Sequence, residues 1–445
     1  MGNLSTQKAP QAQQASAGLG AAVSTQVAGK QATLGNAAMA GQLAGAVAAS
    51  GPSWSRTEVI GIQRELARLG LYTMKVDGDL GKGSRAALVE AFGGEEYRTL
   101  SATDALKRLQ GATPPKSTGI RYGEMFKDGL LDMNLGLGFD ESNWHNHAGP
   151  AIMEAIKARG FKDDAALAAS LYKKSGREVG DSAFGKYFVK QKAITWKPPA
   201  GEARTVDVVI RFVTNSVAGN SKSDGEGKRA ADAFMEGMQE SDVSYYAGHG
   251  RYGSGPDFDR NMRFQLMNDK GDVEKEYSDY TVLEKDLAAL GKKSGKSAWT
   301  MYQEYTKSGK LKTIGSNDGN LFMNPTNNHT GEFGGNLMYQ NLKNGGKKPV
   351  TGAEGAMGQT DRNYRLMVFD GCRTQDYKKQ IRGTPNSSSR DLGLIDTTRT
   401  TYWGDEAETI GAFIDGVLAT ESSKGLTGKM DAVQQVDTSP AFEFS

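Results

Sequence analysis

Cys372 is the single cysteine in a chain of 445 residues that holds only four histidines. It closes the run Arg365-Leu-Met-Val-Phe-Asp-Gly-Cys, the pattern of a buried strand that delivers a thiol to a sheet edge. Val243-Ser-Tyr-Tyr-Ala-Gly-His-Gly is built alike and stops on His249 and Gly250. A neutral thiol is a poor nucleophile, but an adjacent imidazole favours the thiolate and then protonates a leaving amine. The pair therefore points to acyl chemistry, with Cys372 attacking a carbonyl carbon and His249 acting as acid and base. A lone cysteine after a strand also serves as a small buried hydrophobe; the matching strand end with its His-Gly argues for the chemical role. Other candidate groups carry less. Asp140, His145 and His147 have a spacing that a metal could use, yet no further ligand stands nearby and a loop explains them, so no metal site is assigned. Asp257 and Asp259 suit either a calcium ion or a solvated acidic loop. His329 has no evident partner, and Tyr245 and Tyr246 read as sheet packing.

A sheet must bring the two strand ends together. Gly129 to Phe139 and Val206 to Thr214 read as strands, and Pro150 to Arg159, Asp163 to Lys174 and Glu226 to Glu240 as helices. Arg399 to Gly404 reads as a further strand and loop, and Glu406 to Ala419 as a helix with Ile410, Phe413, Ile414 and Val417 inward. Alternating strands and helices imply an α/β fold whose mostly parallel sheet is covered on both faces. Active residues of such sheets lie beyond the carboxyl ends of the strands, where His249 and Cys372 both fall. Between them, about 251–363 is a polar insertion, far longer than a crossover needs, with islands such as Met262 to Met267 and Asn320 to Met323 that suit short strands.

An apolar strand ending in His-Gly, with a later one ending in Asp-x-Cys, resembles the caspase-like cysteine peptidases, which include caspases, metacaspases, clostripain, gingipains, legumain and separase. The resemblance spans roughly residues 125–420. It implies a caspase-haemoglobinase-like sheet flanked by helices, and an oxyanion hole made by the backbone N–H groups of Gly250 and Cys372. In caspases the His lies about fifty residues upstream and Gln-Ala-Cys surrounds the nucleophile. Here the separation is 123 positions and Asp370 replaces the Gln, which makes clostripain and its relatives the nearer comparison. That comparison implies that Asp370 faces the S1 pocket and pairs with Arg or Lys at P1; the plainer reading is that it fixes the Cys loop. If cleavage occurs after basic residues, Lys292, Lys293, Lys296, Lys347 and Lys348 offer sites for self-processing. Several relatives are calcium-activated, so calcium is the one activator implied; no cofactor is.

Upstream, Val59, Ile62, Leu66 and Leu69 recur at helical spacing, and Val76-Asp-Gly-Asp-Leu-Gly makes a turn before a second helix from Ser84. Ile62-Gln63, Leu66, Leu69-Gly70, Tyr72, Val76-Asp77-Gly78, Leu80-Gly81, Ser84 and Ala87 resemble, in order, the motif of the small three-helix peptidoglycan-binding domain. Ser84 stands for the usual Thr, Phe92 falls one position late, and Gly93 stands where Gln would be next. The layout is thus a low-complexity leader at 1–53, a helical domain at 54–112, a linker at 113–122, a peptidase domain at 123–425 and a tail at 426–445. Lys and Arg total 54 against 52 Asp and Glu, a balance that gives no footprint for nucleic acid or an anionic membrane, and no apolar run reaches the length of a membrane span. Ala37 to Ser50 mimics the end of a secretory signal but lacks a basic flank and a leucine-rich core. These features describe a bacterial toxin or effector that is held in the cytoplasm before a non-classical export route and acts on protein or peptide, with peptidoglycan as a further partner. Two other functions stay open: a non-catalytic scaffold, and a cysteine amidase acting on wall peptides.

Overall fold

The computed structural model describes residues 52–115, 119–138, 145–177, 184–214, 227–250, 258, 263–277, 280–314, 362–384, 386–434 and 439–445. Residues 1–51 of the leader, Asp140, Asp257, Asp259, His329, Lys347, Lys348 and the Asn320 to Met323 island lie outside them, as do the side chains of His145 and His147.

Three helices open the described chain: α1 (Arg56–Arg68), α2 (Lys82–Phe92) and α3 (Ala102–Gly111). Ser55 and Glu58 form a reciprocal capping box that starts α1. The helices close on Ile62, Leu66, Leu69, Leu88, Phe92 and Leu109. Gln63 is fully buried and ties the next turn. Its amide nitrogen donates to Asp77 Oδ1 (3.0 Å), the Asp79 carbonyl (2.9 Å) and Ser84 Oγ (3.0 Å), while its oxygen accepts the N–H groups of Asp77 and Gly78. The Ile-Gln pair and the Val-Asp-Gly turn are therefore one folding unit.

The main sheet has eight strands: β1 (Leu130–Leu137), β2 (Lys162–Asp163), β3 (Lys186–Trp196), β4 (Arg204–Thr214), β5 (Val243–Ala247), β9 (Arg365–Asp370), β10 (Leu392–Thr397) and β11 (Phe442–Phe444). A separate antiparallel sheet, in the order β7 (Val273–Tyr277), β6 (Arg263–Met267), β8 (Leu311–Ile314), lies in the insertion. The eight strands run in the order β11-β10-β9-β5-β1-β4-β3-β2. The central five, β10 to β4, are parallel; β11 and β3 flank them antiparallel. One face carries α4 (His145–Ala158), α9 (Glu406–Leu418) and α10 (Ser423–Val433), whose Ile152, Phe413 and Met430 join Tyr245 and Val368. The other carries α5 (Ala165–Lys174) and α6 (Gly227–Glu240), the latter packing Phe234 and Met238 around Tyr246 and Phe369. Consecutive residues Tyr245 and Tyr246 thus serve opposite layers, as a strand buried on both faces requires. In the insertion, α7 (Tyr280–Lys292) and α8 (Ala298–Ser308) close on the small sheet through Phe264, Leu283, Leu287 and Tyr302.

Several expectations need correction. Arg399 to Gly404 is a loop with a short turn at Trp403–Asp405, because the apolar run one step earlier, Leu392-Gly-Leu-Ile, takes the ladder with β9. The segment expected as a tail from 426 contains most of α10 and edge strand β11, since Leu426, Met430 and Phe442 complete the core. Ile120 and Tyr122, assigned to the linker, are buried in that same core. At the amino end of the sheet, Arg177 joins Asp128 (2.7 Å) and Asp242 (2.8 Å), and Asp242 accepts the N–H of Asp132 (3.0 Å). The helical domain docks directly: Ala200 N–H donates to the Ala91 carbonyl (2.8 Å), and Gly93 lies against Trp196 and Pro198.

Candidate active site at the carboxyl edge of strands β5 and β9

Strands β5 and β9 are parallel neighbours with Ala247 opposite Asp370, so the residues just beyond each strand emerge at one sheet edge. Gly248 N–H donates to the Asp370 carbonyl (2.9 Å), extending the ladder by one residue before both chains turn. There the two backbones touch. A Cβ on Gly250 would overlap the Cys372 carbonyl oxygen and lie 2.9 Å from its nitrogen, and one on Gly371 would lie 2.8 Å from Gly250 N. Glycine at both positions is what lets the His-Gly and Gly-Cys turns come together. The sheet thus brings the backbone of His249-Gly250 against that of Asp370-Gly371-Cys372.

Hydroxyl groups hold the turns. Tyr377 Oη donates to the Gly250 carbonyl (3.0 Å), and Tyr246 Oη to that of His249 (3.4 Å). Thr397 Oγ1 donates to the Gly371 carbonyl, while Thr374 and Thr397 exchange N–H to Oγ1 bonds of 2.9 Å. Arg373, directly after the cysteine, sits in the left-handed region at φ 53° and donates its N–H to the Arg399 carbonyl (3.0 Å).

Cys372 is half-buried and its Sγ faces the Thr401 carbonyl at 3.9 Å. Burial pushes the thiol up from its ordinary range, Asp370 adds to the rise, and hydrogen bonds from the Thr400 and Thr401 region oppose it. This environment favours the thiol over the thiolate, so a nucleophilic role for Cys372 would need a base to take its proton. Asp370 is 3% exposed and accepts a hydrogen bond from Tyr245 Oη at 2.8 Å. Burial raises its carboxyl to about 6, opposed by hydrogen bonds to Tyr245 and Thr401 and reinforced by Asp405.

Tyr245, read from the sequence as packing, is thus also a polar partner of the site. Placing β5 beside β9 with equal parity would have shown it, since Tyr245 stands two residues before the partner of Asp370. Thr401 gave no such signal. Its loop is fixed from far along the chain: Gln434, 1% exposed, accepts the N–H of Tyr402 (2.9 Å) and donates to Thr409 Oγ1 (3.2 Å). Among the described residues no three His, Cys, Asp or Glu side chains converge on a metal position, and no helix is long and apolar enough to cross a membrane.

No family model, curated protein or solved structure matches this chain.

Proposed function

We propose that the protein is a caspase-like cysteine endopeptidase that cleaves after Arg or Lys. The observation that carries this reading is the contact of the His249-Gly250 backbone with Gly371-Cys372 at the carboxyl edge of two parallel strands. The order of the parallel strands along the chain, second-first-third-fourth-fifth across the sheet, agrees with it. Such sheets hold their reactive groups at this edge.

In the mechanism, His249 takes the Cys372 proton as Sγ attacks the scissile carbonyl carbon. The oxyanion is received by the N–H groups of Gly250 and Cys372, each such donor being worth about 3–4 kcal/mol in the transition state. His249 then protonates the departing amine, and water hydrolyses the thioester with His249 as base. Asp370 receives the P1 cation: a buried carboxylate that accepts the Tyr245 hydroxyl at 2.8 Å suits a guanidinium or ammonium guest. The helical domain would deliver the enzyme to glycan, as expected of an exported effector. It also favours a second reading, an amidase acting on wall peptides.

The test compares the protein with Cys372→Ala and His249→Ala on fluorogenic peptides bearing Arg, Lys, Asp or Ala at P1, with and without calcium. Turnover of Arg or Lys substrates that vanishes in both variants is the expected result. No turnover, even after limited proteolysis, sinks the peptidase; release of wall peptides instead supports the amidase.

A further inference from the structure

Resting on the peptidase reading, we propose that Tyr245 is a specificity-positioning residue: with Thr401, its hydroxyl holds the Asp370 carboxylate as the receptor for a guanidinium or ammonium group at P1. Tyr245 comes from β5, is fully buried, and packs its ring against Phe413 at a tilt of 58° and a centroid distance of 4.9 Å. That packing leaves the ring no freedom to withdraw its hydroxyl, which lies 2.8 Å from Asp370 Oδ2. Burial and the neighbouring Asp370 hold the phenol well above its ordinary range, so it donates a proton at every working pH.

A carboxylate out of water keeps its charge only where donors meet it. Tyr245 and Thr401 stabilise the anion against burial and against Asp405, while the charge of Glu406 acts on Tyr245 and that of Asp370 on Cys372. His249 stands on the adjoining turn. Thr401 acts twice, since its side chain meets Asp370 and its carbonyl faces Cys372 Sγ at 3.9 Å. The P1 receptor and the nucleophile are thereby held by one residue. Loss of the Tyr245 hydroxyl keeps the ring that packs on Phe413 but makes the receptor harder to ionise, so basic substrates suffer in binding more than in chemistry.

The experiment measures steady-state kinetics of the full chain and Tyr245→Phe from about pH 5 to about pH 9, on matched Arg-P1 and Ala-P1 peptides, with active sites counted by alkylation. The expected result is a KM for Arg-P1 raised roughly tenfold near neutral pH, kcat changed less than about twofold, and an acid limb moved to higher pH for Arg-P1 alone. Thr401→Val, with unaltered backbone groups, should move the limb the same way and stands in if the first variant fails to fold. Equal losses on both peptides, or an unmoved acid limb, overturn the proposal while leaving the peptidase intact. A wild type that turns over neither peptide overturns both.

Discussion

Glu90 and Glu124 meet where the helical domain docks on the α/β domain, and replacing Glu90 by Gln should stabilise the protein in a pH-dependent way. The Glu90 carboxylate, on α2, accepts the Glu124 N–H at 3.2 Å, and the two residues are only 8% and 3% exposed. Burial first, and the Glu124 charge second, raise Glu90 from 4.5 to about 8, with Arg121 and the N–H groups of Gly123 and Glu124 opposing. Between these values the folded chain holds a proton that the unfolded chain has released. The contribution to stability is therefore fully present below about pH 4.5 and is lost as pH rises through about 8. At roughly 1.4 kcal/mol per pH unit the ceiling is about 5 kcal/mol, and local relaxation with water entry reduces this to about 2–3 kcal/mol. Gln keeps the acceptor oxygen and carries no charge. Urea unfolding of wild type and Glu90→Gln should give equal stabilities near pH 4.5 and a variant about 2–3 kcal/mol more stable near pH 9. Asp370 and Asp396, both raised to about 6, titrate in each protein and cancel in the difference. A difference that is constant with pH would refute the reasoning.

Arg177→Ala should cost about 3–5 kcal/mol, because it strands the buried Asp242 that Arg177 holds at 2.8 Å; chemical denaturation measures the loss, and Asp242→Asn should recover part of it. Gly250→Ala pushes a methyl group onto the Cys372 carbonyl, so peptide turnover should fall at least about a hundredfold for a stability loss of about 1–3 kcal/mol, read from kcat and from a thermal melt on the same sample.

Strand ends are legible where apolar runs stop on glycine, which is why the turns bearing His249 and Cys372 stand out in the sequence while the partners that fix them do not. β3 hides because a register shift between Lys190 and Ile194, with Lys192 at φ 50°, breaks the alternation that marks a strand. Edge strand β11 is three residues long and gains meaning only from β10 beside it. The polar fittings are less legible still, since each joins residues whose nearness is decided by strand order: Tyr245 to Asp370 across 125 positions, Tyr377 to Gly250 across 127, Gln434 to Tyr402 across 32. A hydroxyl at a strand position is compatible with plain packing until its neighbour is known. Once β5 lies beside β9, parity alone sends Tyr245 toward Asp370 and Tyr246 to the opposite layer, so one topological fact turns a residue read as filler into part of the site.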